Sequence, residues 1–250
     1  MDLKELLDSE AKRINNRGFI DSDPVQFPRR FDRLQDIEIA ALLSATIAWG
    51  NRKMICRNCD RMLEMMGNDP YNFVMDGAWR EIDPDQNIHR TFFGRNLRHY
   101  LRGLEHLYRQ YGSIREMMVK TGIDKEEAPS WVLTRRLADM LTEANEGATD
   151  SRCLPGAIET SALKRINMAT RWMVRDDGIV DLGVWDNIKP SQLYIPLDVH
   201  VGRTARSLGL LERKSNDRKA VIELTGNLKA LRPEDPVLYD YALFGIGMNL

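Results

Sequence analysis

The sequence has few cysteines and histidines and no long hydrophobic run. Only three of its 250 residues are cysteine and four are histidine. Three cysteines cannot form a four-cysteine iron–sulfur cluster, and Cys56-Arg-Asn-Cys59 lacks the second pair that a structural zinc site requires. Few cysteines are typical of a reducing compartment, and no segment approaches the length of a membrane span. We therefore expect a cytoplasmic protein with no metal, no cofactor and no membrane contact.

A large excess of charge of one sign is also absent. The formal net charge is −1, which argues against a generic polycationic nucleic-acid binder. The charge is unevenly distributed, because residues 151–232 hold 14 Lys and Arg against 9 Asp and Glu, whereas residues 1–150 hold 22 against 25. A phosphate backbone would therefore prefer the segment 151–232.

Alternating runs of β-branched residues are nearly absent, and apolar residues recur at the three-to-four spacing of helices. Helices are predicted over 37–49, 53–66, 97–111, 114–120, 130–143, 160–174 and 218–229. The only plausible extended pieces are Tyr194-Ile195 and residues 178–185. The sequence therefore predicts an all-α fold. Residues 1–250 form a single helical protein that could consist of two lobes, with a division near Glu146–Asp150 into residues 1–150 and 151–250.

Two residues at predicted helix starts carry the sharpest chemical signal. Asp198 stands where a helix N-cap belongs, and Gly209 stands where that helix should end. Lys164 lies near the start of the preceding helix, where the positive end of the helix dipole disfavours an ammonium charge. An amine and a carboxylate form a usable pair for nucleophilic and acid–base chemistry if the fold brings them together. An exposed helical lysine and a purely capping aspartate remain the simpler alternatives.

These two residues also carry a resemblance. The segment Asp198-Val-His-Val-Gly-Arg followed by Ser-Leu-Gly-Leu resembles the Val-Asp-x-His-x-x-Arg…Leu-Gly-Leu segment of the helix-hairpin-helix DNA glycosylase superfamily. Residues 161–172 and 239–247 resemble further parts of that superfamily, and 41–52 does so more weakly. The chain looks like a bacterial family at the edge of the superfamily. It departs from the pattern before Lys164, because Gly156 is followed by no second glycine in residues 157–163.

The resemblance implies a two-lobed helical bundle and a DNA repair glycosylase with an associated lyase activity. A damaged nucleotide, first of all an oxidised purine, would be flipped from double-stranded DNA into a pocket. Lys164 would then attack the sugar C1′ and form a Schiff base, with Asp198 assisting. The alternatives are a non-catalytic DNA- or RNA-binding module with the same fold, and an unrelated all-α protein in which Lys164 and Asp198 never meet.

Several further residues are candidates for contacts with DNA, each with a simpler alternative. The candidates for phosphate contacts are Arg171, Arg175, Arg203, Arg206 and Arg52, any of which could instead lie on an ordinary solvated face. Lys164, Arg171 and Arg175 are spaced so that they share one helix face. The candidates for the base pocket are Trp49, Met168 and His200, where Trp49 could equally be a core anchor and His200 an ordinary helix-start histidine.

Overall fold

Helices make up most of the molecule. The structure is a computed structural model and describes residues 2–250. The α-helices are α1 (Leu3–Ile14), α2 (Arg17–Ile20), α3 (Leu34–Thr46), α4 (Arg52–Met65), α5 (Pro70–Met75), α6 (Gly94–Tyr111), α7 (Ile114–Thr121), α8 (Pro129–Ala144), α9 (Lys164–Val174), α10 (Val199–Ser207), α11 (Arg218–Leu231) and α12 (Tyr239–Met248). The predicted all-α class is confirmed. None of the helices within residues 2–250 has the length and apolar character needed to cross a membrane.

The chain divides into two compact units that are not consecutive in sequence. The first unit comprises the described residues up to Asp21 together with Glu127–Trp131 and Ala157–Leu250. The second comprises Ser22–Glu126 and Val132–Gly156. The predicted division into 1–150 and 151–250 therefore differs from the compact units, because α1 packs against α12 at the other end of the chain.

In the first unit, α12 packs closely between α1 and α10. Helix α1 begins with a capping box, in which the Asp2 side chain accepts from the Glu5 amide and the Glu5 side chain accepts from the Asp2 amide. Glycines of α12 face both neighbours. A Cβ atom at Gly245 would lie 2.5 Å from Ile14 Cγ1, and one at Gly247 would lie 2.7 Å from Thr204 Oγ1. The sequence Gly-Ile-Gly therefore sets how near the three helices approach.

In the second unit, a buried charge ties the central helix α3 to the start of α7. Glu38 lies on α3 and is completely buried. Its carboxylate accepts hydrogen bonds from the Ile114 amide at 2.9 Å and the Arg115 amide at 3.0 Å. Because the first amides of a helix lack partners within the helix, Glu38 acts as a cap supplied by another element.

The one sheet of the described residues is a short hairpin that the sequence did not predict. Strands β1 (Asn87–His89) and β2 (Phe92–Phe93) pair antiparallel in the second unit. The predicted extended pieces at 178–185 and 194–195 form no strand. Instead, the Leu182 and Trp185 amides donate to carbonyls near the end of α9, at 2.7 and 2.8 Å. The extended segment thus satisfies helix carbonyls that have no partner within α9.

The close approach of α12 to α1 makes a stability prediction. Gly245→Ala should lower the free energy of unfolding by about 1–3 kcal/mol, because the new methyl group would overlap the buried Ile14 side chain. Gly226→Ala is the matched control, since Gly226 lies on α11 with no atom within 4 Å of its Cβ position. In this control the free energy of unfolding should rise by about 0.5–1 kcal/mol, because alanine has a higher helix propensity than glycine. Urea unfolding measures both changes. An equal change in the free energy of unfolding of the two variants would contradict the close packing of Gly245 against Ile14.

Candidate functional site

Lys164 is the first residue of α9 and follows a turn with an unusual backbone. Leu163, which precedes it, is buried and adopts the left-handed conformation at φ 48° and ψ 36°. This conformation is uncommon for a residue other than glycine and costs on the order of 1 kcal/mol. The predicted start of the helix at Thr160 is therefore wrong, because a left-handed residue interrupts the helix before Lys164. The turn reaches this conformation without the second glycine of the resembled pattern.

Several hydrogen bonds hold this turn in place. The Asn167 side chain donates to the Ala162 carbonyl at 3.0 Å, and the Leu163 amide donates to Ser161 Oγ at 3.2 Å. From a distant part of the chain, Trp131 Nε1 donates to the Ser161 carbonyl at 3.2 Å. These bonds offset the cost of the left-handed residue and fix the position at which α9 begins.

Asp198 is the N-cap of α10, as the sequence predicts. Its Oδ1 atom accepts from the His200 and Val201 amides, each at 2.9 Å. Neither of these bonds uses Oδ2. The Asp198 carbonyl accepts from the Asn216 side chain at 3.0 Å, so the backbone is fixed as well. One oxygen of the carboxylate therefore caps the helix, while the other can take part in chemistry.

A second carboxylate, Asp240, interacts with both predicted residues through their charges. It lies in the first turn of α12, where the Arg171 guanidinium donates to its Oδ2 atom. The pKa of Asp240 is raised to about 6, because burial, together with the negative charge of Asp198, outweighs the positive charges of Arg171 and Lys164. Lys164 and Asp198 thus both lie within electrostatic reach of one buried carboxylate. Both residues belong to the first unit.

The prediction that Arg171 and Arg175 contact DNA is wrong. Their side chains are only 5% and 3% exposed. Each is surrounded by aspartates and by the ring of Tyr241, whose centroid lies 4.3 Å from Arg171 Cζ and 5.7 Å from Arg175 Cζ. The aspartates are Asp181 and Asp240 at Arg171, and Asp177, Asp181 and Asp235 at Arg175. Two buried guanidinium groups require such carboxylates, since an unpaired buried charge is strongly destabilising.

Arg206 also has a structural role in place of the predicted DNA contact. Its guanidinium donates to the Arg213 carbonyl at 2.8 Å and to Asn216 Oδ1 at 2.6 Å. Because Asn216 in turn donates to the Asp198 carbonyl, Arg206 helps to position the start of α10. Arg203 differs from it, since its side chain lies on the exposed face of α10. Of the four predicted arginines of the first unit, Arg203 is the exposed one, and its guanidinium donates to the Gly247 carbonyl at 3.4 Å.

The residues predicted to line a base pocket fall in both units. Met168 lies one turn after Lys164 on α9, and His200 lies in the first turn of α10; both are partly exposed in the first unit. Trp49 and Arg52 belong to the second unit. The Trp49 ring packs edge-on against His89 at 4.7 Å, and Arg52 pairs with Asp23 at 3.1 Å. These contacts favour the alternative interpretation of Trp49 as an anchor within its own unit.

Sequence reasoning missed Asp240, although a signal for it exists. Asp240 is the one ionisable carboxylate in the otherwise apolar and aromatic stretch 239–247, and its neighbours are buried. A carboxylate in such a stretch requires a buried cation as partner. The matching signal is Arg171 on α9 and Arg175 directly after it, both next to buried residues of that helix.

The arrangement supplies an amine, a carboxylate and a second, buried carboxylate, all at helix starts. An amine can attack an electrophilic carbon when it is neutral, and a carboxylate can accept its proton or stabilise a cation. Among residues 2–250, no group of three or more His, Cys, Asp or Glu side chains could hold a metal ion. The amine and the two carboxylates at these helix starts can support covalent and acid–base chemistry.

The neighbourhood of Asp240 can be tested by titration. Lys164→Gln should raise the pKa of Asp240, because it removes a positive charge, and Asp198→Asn should lower it, because it removes a negative charge. The carboxyl carbon of Asp240 in the ¹³C-labelled protein reports both changes by NMR. Lys214→Gln, in an exposed loop of the first unit, is the control and should leave the titration unchanged. Identical titration curves for all variants would show that neither the Lys164 charge nor the Asp198 charge acts on Asp240.

Comparison with known proteins places this site within a family. No curated protein and no solved structure matches the chain. A family model described as "Protein of unknown function (DUF2400)" matches residues 23–249. The match covers most of the chain and includes Lys164, Asp198 and Asp240. The chain therefore belongs to the DUF2400 family.

Proposed function

We propose that this protein is a DNA glycosylase with an associated lyase activity, built on a fold like that of the helix-hairpin-helix glycosylases. The observation that carries the proposal is that the charges of Lys164 and Asp198 both act on the buried carboxylate of Asp240. Both residues stand at helix starts in the first unit, at the positions that the resemblance assigns to the nucleophile and its assisting carboxylate. The substrate class is double-stranded DNA with a damaged base, and an oxidised purine is the first to test.

Lys164 acts as the nucleophile in this proposal. The lone pair of its neutral amine forms a bond to C1′ of the flipped nucleotide while the glycosidic bond breaks, and the base leaves with the bonding electrons and takes up a proton. The nitrogen then loses one proton, its lone pair forms the C1′–N double bond as the C1′–O4′ bond breaks, and O4′ takes up a proton, which gives a protonated imine and an open sugar. Removal of a proton from C2′ then expels the 3′ phosphate by β-elimination, which cuts the strand.

Asp198 and Asp240 have different roles. Asp198 Oδ1 caps α10, and Oδ2 is the oxygen that accepts a proton from the amine or stabilises the positive charge that develops on the sugar. Asp240 is a positioning residue, because it is bonded to Arg171 and acts on Lys164 and Asp198 through its charge. The turn at Leu163 fixes the start of α9 and with it the backbone position of Lys164.

The chemical step is tested by trapping with borohydride. Wild-type protein should form a covalent adduct with a duplex that contains an oxidised purine, because borohydride reduces an imine to a stable amine. Lys164→Gln should abolish the adduct and leave duplex binding unchanged, since glutamine is similar in size but not nucleophilic. Lys214→Gln is the matched control and should trap as wild type does.

Two outcomes would overturn this assignment. An adduct with Lys164→Gln would place the nucleophile on another residue. A wild-type protein that traps nothing on oxidised, alkylated and abasic duplexes, yet binds them, would favour the non-catalytic binding module.

Asp198→Asn separates chemistry from capping. Asparagine caps a helix about as well as aspartate, so the variant should fold with little loss of stability. Base release in single-turnover assays should slow by about 10²–10⁴-fold, the usual contribution of a general base. Asp217→Asn, at the N-cap of α11, is the control, because it makes the same change at a cap outside the site. An equal rate for Asp198→Asn and the control would assign Asp198 to capping alone.

Arg203 provides the test of nucleic-acid contact. Duplex affinity should fall as salt rises, and Arg203→Gln should reduce the slope of log affinity against log salt by about one, as expected for the loss of one phosphate contact. Arg17→Gln, also exposed in the first unit, should leave the slope unchanged. Duplex binding that is absent at low salt, or that does not respond to salt, would contradict any role on DNA.

A further inference from the structure

The second unit contains a concave pocket with a strongly basic wall. Its volume is about 260 Å³. No acidic side chain is among the residues that line it. Residues of α6 form the basic wall, and the other sides come from the segment 79–84 and the residue that follows α8. The lining side chains include Trp79, Arg95, Arg98, His99, Arg102 and Asn145.

Three arginines share one face of α6. Arg95, Arg98 and Arg102 are spaced at i, i+3 and i+7, which places them in a row along the helix. Like charges at this spacing repel each other and destabilise an isolated helix. A row of arginines around a concavity is therefore unfavourable unless an anion offsets the repulsion.

The carboxylates that pair with two of these arginines are easily displaced. Arg95 pairs with Asp85 at 2.6 Å and Arg102 pairs with Glu146 at 2.9 Å, but Asp85 is 83% exposed and Glu146 is 82% exposed. Ion pairs between exposed side chains contribute little to stability, so a compact polyanion can replace them. Arg98, between the two, is partly buried and makes no ion pair within residues 2–250.

The other walls of the pocket are fixed by hydrogen bonds. Trp79 Nε1 donates to Glu105 at 2.9 Å, which holds the indole ring in one orientation. The Asn145 side chain donates to the His99 carbonyl at 3.0 Å and so ties the end of α8 to α6. Burial lowers the pKa of His99, which favours the neutral ring. The pocket is thus largely formed before any ligand enters.

We propose that this pocket binds a phosphate group. A phosphate presents several oxygens within a few ångströms, and guanidinium groups bind such oxygens in pairs of parallel hydrogen bonds. Arg98 provides the central contact, while Arg95 and Arg102 exchange their exposed carboxylates for the ligand. The phosphate can belong to a nucleic-acid backbone or to a small phosphorylated molecule. This proposal does not depend on the chemistry proposed for Lys164.

Calorimetric titration of the full chain with inorganic phosphate tests the site, with sodium chloride adjusted to keep the ionic strength constant. Wild type should bind, and Arg98→Gln should raise the Kd by about tenfold or more, as expected for the loss of hydrogen bonds between charged groups. Arg61→Gln is the matched control, since Arg61 is an exposed arginine on α4 of the same unit, away from the pocket. No binding to wild type, or equal affinity in Arg98→Gln and Arg61→Gln, would overturn the proposal.

A second measurement identifies the source of the phosphate. If Arg98→Gln weakens binding of an undamaged, fluorescently labelled duplex and phosphate competes with that duplex, the pocket contacts the nucleic-acid backbone. If Arg98→Gln weakens phosphate binding and leaves duplex binding unchanged, the ligand is a small phosphorylated molecule. Lys164→Gln should bind phosphate as wild type does, so a failure of the glycosylase proposal would leave this result intact.

Discussion

The buried contact between Arg171 and Asp240 is the interaction on which the candidate site depends. It joins α9, which begins with Lys164, to α12, which packs against both α1 and α10. Moving a charge out of water is costly, and a buried pair persists only when each partner is satisfied. Arg171 also bonds to Asp181, and Arg175 satisfies the other oxygen of the same carboxylate. The network therefore fixes α9 relative to α12 through charges that neither helix could bury alone.

The placement of the reactive groups follows from this network and from the helix starts. Lys164 is the first residue of α9, Asp198 caps α10, and Asp240 lies in the first turn of α12. The positive end of a helix favours carboxylates and disfavours an ammonium group. Burial acts in the opposite sense on Asp240, whose pKa of about 6 shows that desolvation outweighs the nearby positive charges.

Local sequence signals predicted the parts of the site that depend on local structure. Asp198 and Gly209 mark the two ends of α10, because capping and the left-handed backbone at Gly209, with φ 71°, are properties of a few consecutive residues. The start of α9 was predicted at Thr160 and lies at Lys164, since the bond from Trp131 that fixes the preceding turn comes from a distant part of the chain. Contacts of that kind leave no pattern within the helix itself.

The roles of the arginines show most clearly why charge in a sequence does not predict charge on a surface. Residues 151–232 carry the positive excess, yet Arg171 and Arg175 lie inside the first unit among aspartates. Residues 1–150 carry a negative excess, yet Arg95, Arg98 and Arg102 line a concave pocket in the second unit. Arg171 pairs with Asp240, which lies far from it in the sequence. The residues next to a buried arginine in the sequence therefore do not show which carboxylate neutralises it. What a ligand meets is the charge left exposed after folding, and in this protein three arginines line a pocket within a stretch of sequence whose net charge is negative.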